Sequence, residues 1–149
     1  MVDGQSTLPE VLDEFDTWLS TRNLKRRSES DDSAQSWAFV TCGDWDLNSL
    51  LVNEAKYFQI QLPRYFNSWI NIKKAYSEAK GYFPPSLHVM LKDLNIKHYG
   101  HLHSGLDDVI NICAILKSLA RNYTYRTTSS SESLSPWLKG FGGKRRVDP

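Results

Sequence analysis

Cysteine is nearly missing from this chain: Cys42 and Cys113 are the only two in 149 residues. Neither has metal-ligand neighbours at the required spacing, which excludes a zinc ribbon or finger, and two cysteines are too few for a disulfide-built scaffold. Cys113, set among Ile112, Ala114 and Ile115, reads as a buried free thiol. Long apolar runs are missing as well. No stretch approaches the roughly 20 residues that span a bilayer, and the opening residues lack a signal-peptide pattern. A reducing, intracellular compartment, cytoplasm or nucleus, is therefore expected, with the sequon Asn122-Tyr-Thr124 unused. An excess of one charge is missing too. Eighteen Lys and Arg against 17 Asp and Glu leave a net charge of +1. No global field then draws in nucleic acid, and any such partner must be held by a local patch.

What is present is a globular composition, 40% hydrophobic and 23% charged, sufficient for one domain with a core. Thr7-Leu-Pro-Glu10 is a capping box with proline near the first helical position. Leu8, Val11, Leu12, Phe15, Trp18 and Leu19 follow on one helical face, while Asp13, Glu14 and Asp16 form its solvated side. Residues 22–35 are a polar surface loop containing the basic triplet 25–27. Trp37–Cys42 has strand character and breaks at Gly43, before a helix expected from Leu47 to Phe58. After a loop around Pro63, Trp69–Ile72 reads as a second short strand entering a helix that ends at Gly81. Pro84-Pro-Ser86 starts another helix with a Leu87, Met90, Leu91, Leu94 stripe. The helix from Leu106 to Arg121 is apolar nearly all round in its middle, which predicts burial against more than one layer. Tyr123–Thr127 is a further candidate strand. From Ser129 the chain is rich in Ser and Gly and reads as a disordered tail ending in the basic cluster 144–146. Alternating helices and short strands imply an α/β layered domain, yet with too little sheet to cover so many apolar helix faces.

The stretch with most chemistry is His103-Ser-Gly-Leu-Asp-Asp108, an imidazole and two carboxylates where a glycine-containing loop enters a long helix. It suits a metal-held carboxylate beside a general base. It equally suits ordinary acidic capping of a helix N-terminus next to a loop histidine. Asp46, at the end of the first strand, is either an N-cap or a site residue of the kind that open α/β sheets place at strand ends, with Asp44 competing for the role.

Three stretches together, Phe39–Asp46, Trp69–Tyr76 and His103–Ile112, resemble the DEDDh 3'–5' exonucleases. Within these the chain is most similar to the enhanced-RNA-interference and histone-mRNA exoribonucleases, and there to the prion-protein-interacting branch. The resemblance runs from Met1 to about Thr128, leaving 129–149 as the tail. It implies a ribonuclease-H-like α/β fold, a mixed sheet with helices on both faces, and trimming of single-stranded RNA from its 3' end with release of 5'-monophosphates. It assigns Asp46, His103 and Asp108 to the catalytic set and leaves Asp107 as a non-ligand neighbour. It also implies two divalent ions, Mg²⁺ or Mn²⁺, roughly 4 Å apart, with Asp108 helping to hold one and Asp46 the other. His103 takes the proton of the attacking water. Trp45 is the candidate wall for the terminal nucleotide, or a core tryptophan. Lys73 and Lys74 are candidate phosphate contacts, or exposed helix residues.

Two departures stand out. Gly100-His-Leu-His103 replaces the Arg-Pro that relatives usually carry before the histidine. More important, the family's first motif, Asp-x-Glu on the central strand, occurs nowhere in the chain. The expectation is an incomplete domain lacking the first three strands, with Met1 an internal start, and a chain inactive as it stands. The alternative is a catalytically silent piece that binds RNA or a partner protein.

Overall fold

The computed structural model describes residues 4–22, 24, 37–101, 103–127 and 142–144. Helix α1 spans Leu8–Thr21. Its start forms as the sequence predicts: the Glu10 carboxylate reaches back to the Thr7 amide at 2.6 Å and to its hydroxyl at 2.8 Å. Strand β1 (Phe39–Thr41) is shorter than expected. A turn of wide, π-helical pitch over Asp46–Leu50 then runs into α2 (Leu51–Tyr57). A 3₁₀ turn, Arg64–Asn67, leads to β2 (Ser68–Asn71), which passes directly into α3 (Ile72–Lys80). Gly81 closes α3 at φ 82°, the left-handed cap that glycine adopts without strain. Helix α4 covers Leu87–Asp93, with the Ser86 hydroxyl capping the Val89 amide. Helix α5 runs Gly105–Thr127, so Tyr123–Thr127 continues a helix rather than forming a strand. Its favourable i→i−4 ladder is already running when those β-prone residues are reached.

The mixed sheet has order β1-β2-β3, where β3 is Gly142–Lys144. β1 and β2 are parallel with Val40 opposite Ile70, and β3 joins β2 antiparallel with Gly143 opposite Trp69. The tail reading is corrected for these three residues, whose backbone completes one edge of β2. The rest of the tail, the basic triplet 25–27 and Arg145–Arg146 lie outside the described residues.

Two apolar clusters hold the elements together. On one side Ile72, Ala75, Tyr76, Met90, Leu91, Ile115 and Leu119 join α3, α4 and α5, with Val40 and Ile70 of the sheet packed against them. On the other, Leu47, Phe66 and Trp69 form a smaller centre with Phe15, Phe39 and Tyr65 stacked around it. Asp16 is more than solvated surface: it accepts a 3.3 Å hydrogen bond from Tyr65, whose hydroxyl burial and this neighbouring charge push up to about 12. Only Leu19 of α1 is fully buried, and Trp18 stays half-exposed under the Arg22 guanidinium.

Helix α5 departs from expectation in a way that matters later. Asn111, Ile115 and Leu119 are buried, but Leu106, Val109, Ile110 and Cys113 of the same apolar run are exposed. Burial on one face follows because α3 and α4 cover only that side. Cys113 is thus not a buried thiol, whereas Cys42 is half-buried and its thiol is pushed up by burial. A thiol reagent at mildly alkaline pH is expected to label Cys113 well before Cys42, and both at one rate after denaturation. Equal rates in the folded chain would contradict this placement, because reactivity follows the thiolate fraction and access.

Candidate active site

The end of β1 is where the sequence-predicted residues meet. Thr41 ends the strand, its hydroxyl donates to the Gly43 carbonyl, and Gly43 turns the chain at φ 125°, a conformation open to glycine and strained for other residues. Asp44 then takes three donors. Its Oδ1 accepts from Trp69 Nε1 and Asn71 Nδ2, each at 2.9 Å, and its Oδ2 pairs with Lys74 Nζ at 2.8 Å. Burial raises this carboxyl, but the bonds from Lys74, Asn71 and Trp69 outweigh it and hold Asp44 below the usual carboxylate range. Asp44 is therefore a brace between the β1 turn, β2 and α3.

Asp46 is different. It is not an N-cap, since Trp45 before it is already helical, and it stands exposed in the first turn of the helical segment. Trp45 exposes 66% of its surface, which removes the reading of a core tryptophan. Asp108 sits in the first turn of α5. Both carboxylates are near enough to the Cys42 thiol for their charges to act on it. After burial, the charges acting on it are Lys73, which lowers it, and Asp46 and Asp108, which both raise it. Asp46, just after β1, and Asp108, opening the helix that packs with Cys42 in one apolar cluster, thus come from remote parts of the sequence to the region of the strand end, where open α/β sheets place their sites.

Asp107, adjacent to Asp108, has a separate role. Its Oδ2 accepts the His101 amide at 2.9 Å, and that backbone bond chiefly holds its carboxyl below the usual range. Asp44 and Asp107 are tied to the fold by hydrogen bonds, while among the described residues neither the Asp46 nor the Asp108 carboxylate accepts one. His103 is exposed, in a left-handed conformation at φ 63°. Among the described residues no hydrogen bond joins it to Asp46 or Asp108. The two lysines diverge. Lys74 is committed to Asp44, and Lys73 Nζ donates to the Pro85 carbonyl at 3.1 Å and lies 6.0 Å from the Phe83 ring centre. Each ammonium has one of its three N–H donors engaged in this way.

Asn71 and Asn111 escaped the sequence reading. Asn71 is buried, caps α3 by accepting from Lys73 and Lys74 amides, and donates to Asp44. Asn111 is buried and bonds the Tyr99 backbone. The available signal was an amide inside an apolar run in each case, since a buried amide requires partners.

Beside Asp46 a cleft of about 480 Å³ opens between α1 and α2, lined by Val11, Phe15, Phe39, Leu50 and Phe66. As for metal ions, no group of three or more His, Cys, Asp or Glu side chains able to hold one occurs among the described residues. Asp46 and Asp108 alone do not make a closed ion site. No helix among them is long and apolar enough to cross a membrane.

Residues 1–116 match the model of the family described as Exonuclease. The chain belongs to this exonuclease family. It is similar to ERI1 exoribonucleases and to a solved DEDDh family member. ERI1 exoribonuclease 3 of Homo sapiens is 44% identical over 131 residues, 87% of this chain and 37% of the relative. The 3'-5' exonuclease Snipper of Drosophila melanogaster is 30% identical over 126 residues, 81% of this chain and 45% of that one. Among solved structures, the nuclease domain of 3'hExo, a DEDDh family member bound to rAMP, superposes with a TM-score of 0.71. It is 27% identical, across 82% of this chain and 58% of that one. A 3'-exonuclease solved in 3'-end-specific recognition of a histone mRNA stem-loop gives 0.72 at 26% identity, over 82% and 52%. The fold is accordingly ribonuclease-H-like, and the chain spans less than half the length of these two curated relatives.

Proposed function

We propose that this chain carries part of the active site of a 3'–5' exoribonuclease that trims single-stranded RNA 3' ends. The observation that supports this best is that Asp46 directly follows β1 while Asp108 opens α5, which packs with Cys42 in one apolar cluster, and that Asp44 and Asp107 are bound elsewhere. In this reading His103 accepts the proton of a water that attacks the terminal phosphorus. The bond to the leaving 3'-oxygen breaks, and a nucleoside 5'-monophosphate departs. The exposed Trp45 ring offers a stacking face to the terminal base. Exonucleases of this family use divalent metal ions, which supply Lewis acidity at a phosphoryl oxygen. Asp46 and Asp108 are the residues to hold Mg²⁺ or Mn²⁺ here, but the described residues do not complete such a site, and the chain has no Asp-x-Glu to add to it.

Hydrolysis is therefore assigned to a domain completed by an Asp-x-Glu strand, and the 149-residue chain alone is expected to be inactive. The check is labelled single-stranded RNA with Mn²⁺, given the chain alone in one arm and, in the other, the chain preceded by the Asp-x-Glu strands of a relative. Stepwise 5'-monophosphate release is expected in the second arm only. Release by the chain alone, abolished by His103→Ala, would overturn the incomplete site. Inactivity in both arms would favour the second reading, a silent chain that binds RNA or a partner protein.

A further inference from the structure

The loop that carries His103 is fastened to α5 by side chains that do not belong to the catalytic set. Asn111 is 1% exposed and pairs with both backbone groups of Tyr99. Its Oδ1 accepts the Tyr99 amide at 2.9 Å, and its Nδ2 donates to the Tyr99 carbonyl at 3.0 Å. The same Nδ2 donates to the Asp107 carbonyl at 2.9 Å, one turn earlier on the helix. Asp107 makes the second attachment through the His101 amide. Gly100 lies between these two points at φ 68°, and a Cβ there would stand 2.2 Å from Asp107 Cγ. Any side chain at Gly100 must displace the Asp107 carboxylate from His101.

We propose that Asn111, Asp107 and Gly100 are positioning residues that set where His103 stands. The physical reason is that His103 occupies a left-handed conformation, which L residues hold only when their surroundings over-determine it. The loop supplies that determination from one side, at Tyr99 and His101. The helix supplies it from the other, where the Asp108 amide bonds the Ser104 carbonyl at 2.8 Å. A buried amide on Tyr99 and a carboxylate on His101 register the loop against the helix, and the imidazole follows from that register. This inference rests on the reading of His103 as proton acceptor, but its test does not.

The full chain, isotope-labelled, is compared with Asp107→Ala, Asp107→Asn and Gly100→Ala by amide exchange and by the His103 imidazole resonances. Asp107→Ala is expected to speed exchange of the His101 amide at least about tenfold, since it removes a hydrogen bond to a charged acceptor. It should also move the His103 signals to those of a free histidine peptide. Asp107→Asn keeps an oxygen for the same N–H and should retain the parent spectrum. Gly100→Ala, at an exposed position, should behave like Asp107→Ala while amides from Ile112 to Leu119 keep their protection, and it decides the matter if Asp107→Ala fails to fold. His103 signals indifferent to Gly100→Ala, or an Asp107→Asn as disruptive as Asp107→Ala, would overturn the proposal. None of these readouts involves RNA, so a failed nuclease assay would count against His103's chemical role and leave its positioning standing.

Discussion

In the chain completed with a relative's Asp-x-Glu strands, His103→Ala is expected to lower turnover by about a hundred- to ten-thousand-fold, the range contributed by a positioned proton acceptor. Asp46→Asn and Asp108→Asn should fall in or below that range, because each removes a full negative charge from a residue proposed to hold a divalent ion. RNA affinity should change little in all three. Most of it comes from backbone phosphates and stacked bases, which none of these side chains supplies. Asp44→Asn should cost less turnover and more stability, since it weakens the ion pair with Lys74 and the tie to Trp69 and Asn71. Measurement of kcat and Kd on one labelled oligonucleotide separates these cases. An Asp44→Asn enzyme crippled in turnover beside a tolerant Asp46→Asn enzyme would show that the wrong carboxylate has been assigned.

The second large effect concerns the chain alone. Strand β1 lies at the margin of the sheet, and among the described residues its outer edge has no partner. Apolar surface is bare on both sides of that edge. On one side is the cleft between α1 and α2, and on the other is the outer face of α5, where Leu106 and Val109 are 73% and 54% exposed. At about 25 cal/mol per Å², a few hundred Å² left uncovered forgoes several kcal/mol. That is a large part of the roughly 5–15 kcal/mol that stabilises a whole domain. The 149-residue chain is therefore expected to bind a hydrophobic dye, to melt broadly and to associate through the β1 edge. Order should be uneven. Amides of α3 and of the Ile115–Leu119 turn, inside the larger cluster, should exchange slowly, and those of α1 quickly, because α1 buries only Leu19. A monomer with one sharp transition, no dye binding and equal protection in α1 and α3 would refute this.

Much of the molecule follows from local rules alone. Thr7 and Glu10 start α1, Ser86 starts α4, and Gly81 stops α3, each because a particular side chain or its absence satisfies a helix end. The two parallel strands were legible as short apolar runs bounded by Gly43 and by the start of α3. The motif resemblance named the family. It did not depend on geometry, since those residue types at those positions carry the chemistry.

Other features were decided only by tertiary structure. Helix α5 is apolar on nearly every side, and periodicity alone cannot tell which sides neighbours will cover. Packing by α3 and α4 buried Ile115 and left Cys113 in solvent. Tyr123–Thr127 follows the helix before it, although its residue types favour a strand. Spacing could not divide Asp44 from Asp46. Nor could it show which carboxylates are held by the fold, since the donors to Asp44 and Asp107 come from β2, α3 and a distant loop. The same holds for Asn111, an unremarked amide in the sequence whose partner, Tyr99, becomes its neighbour only when the loop folds back on the helix.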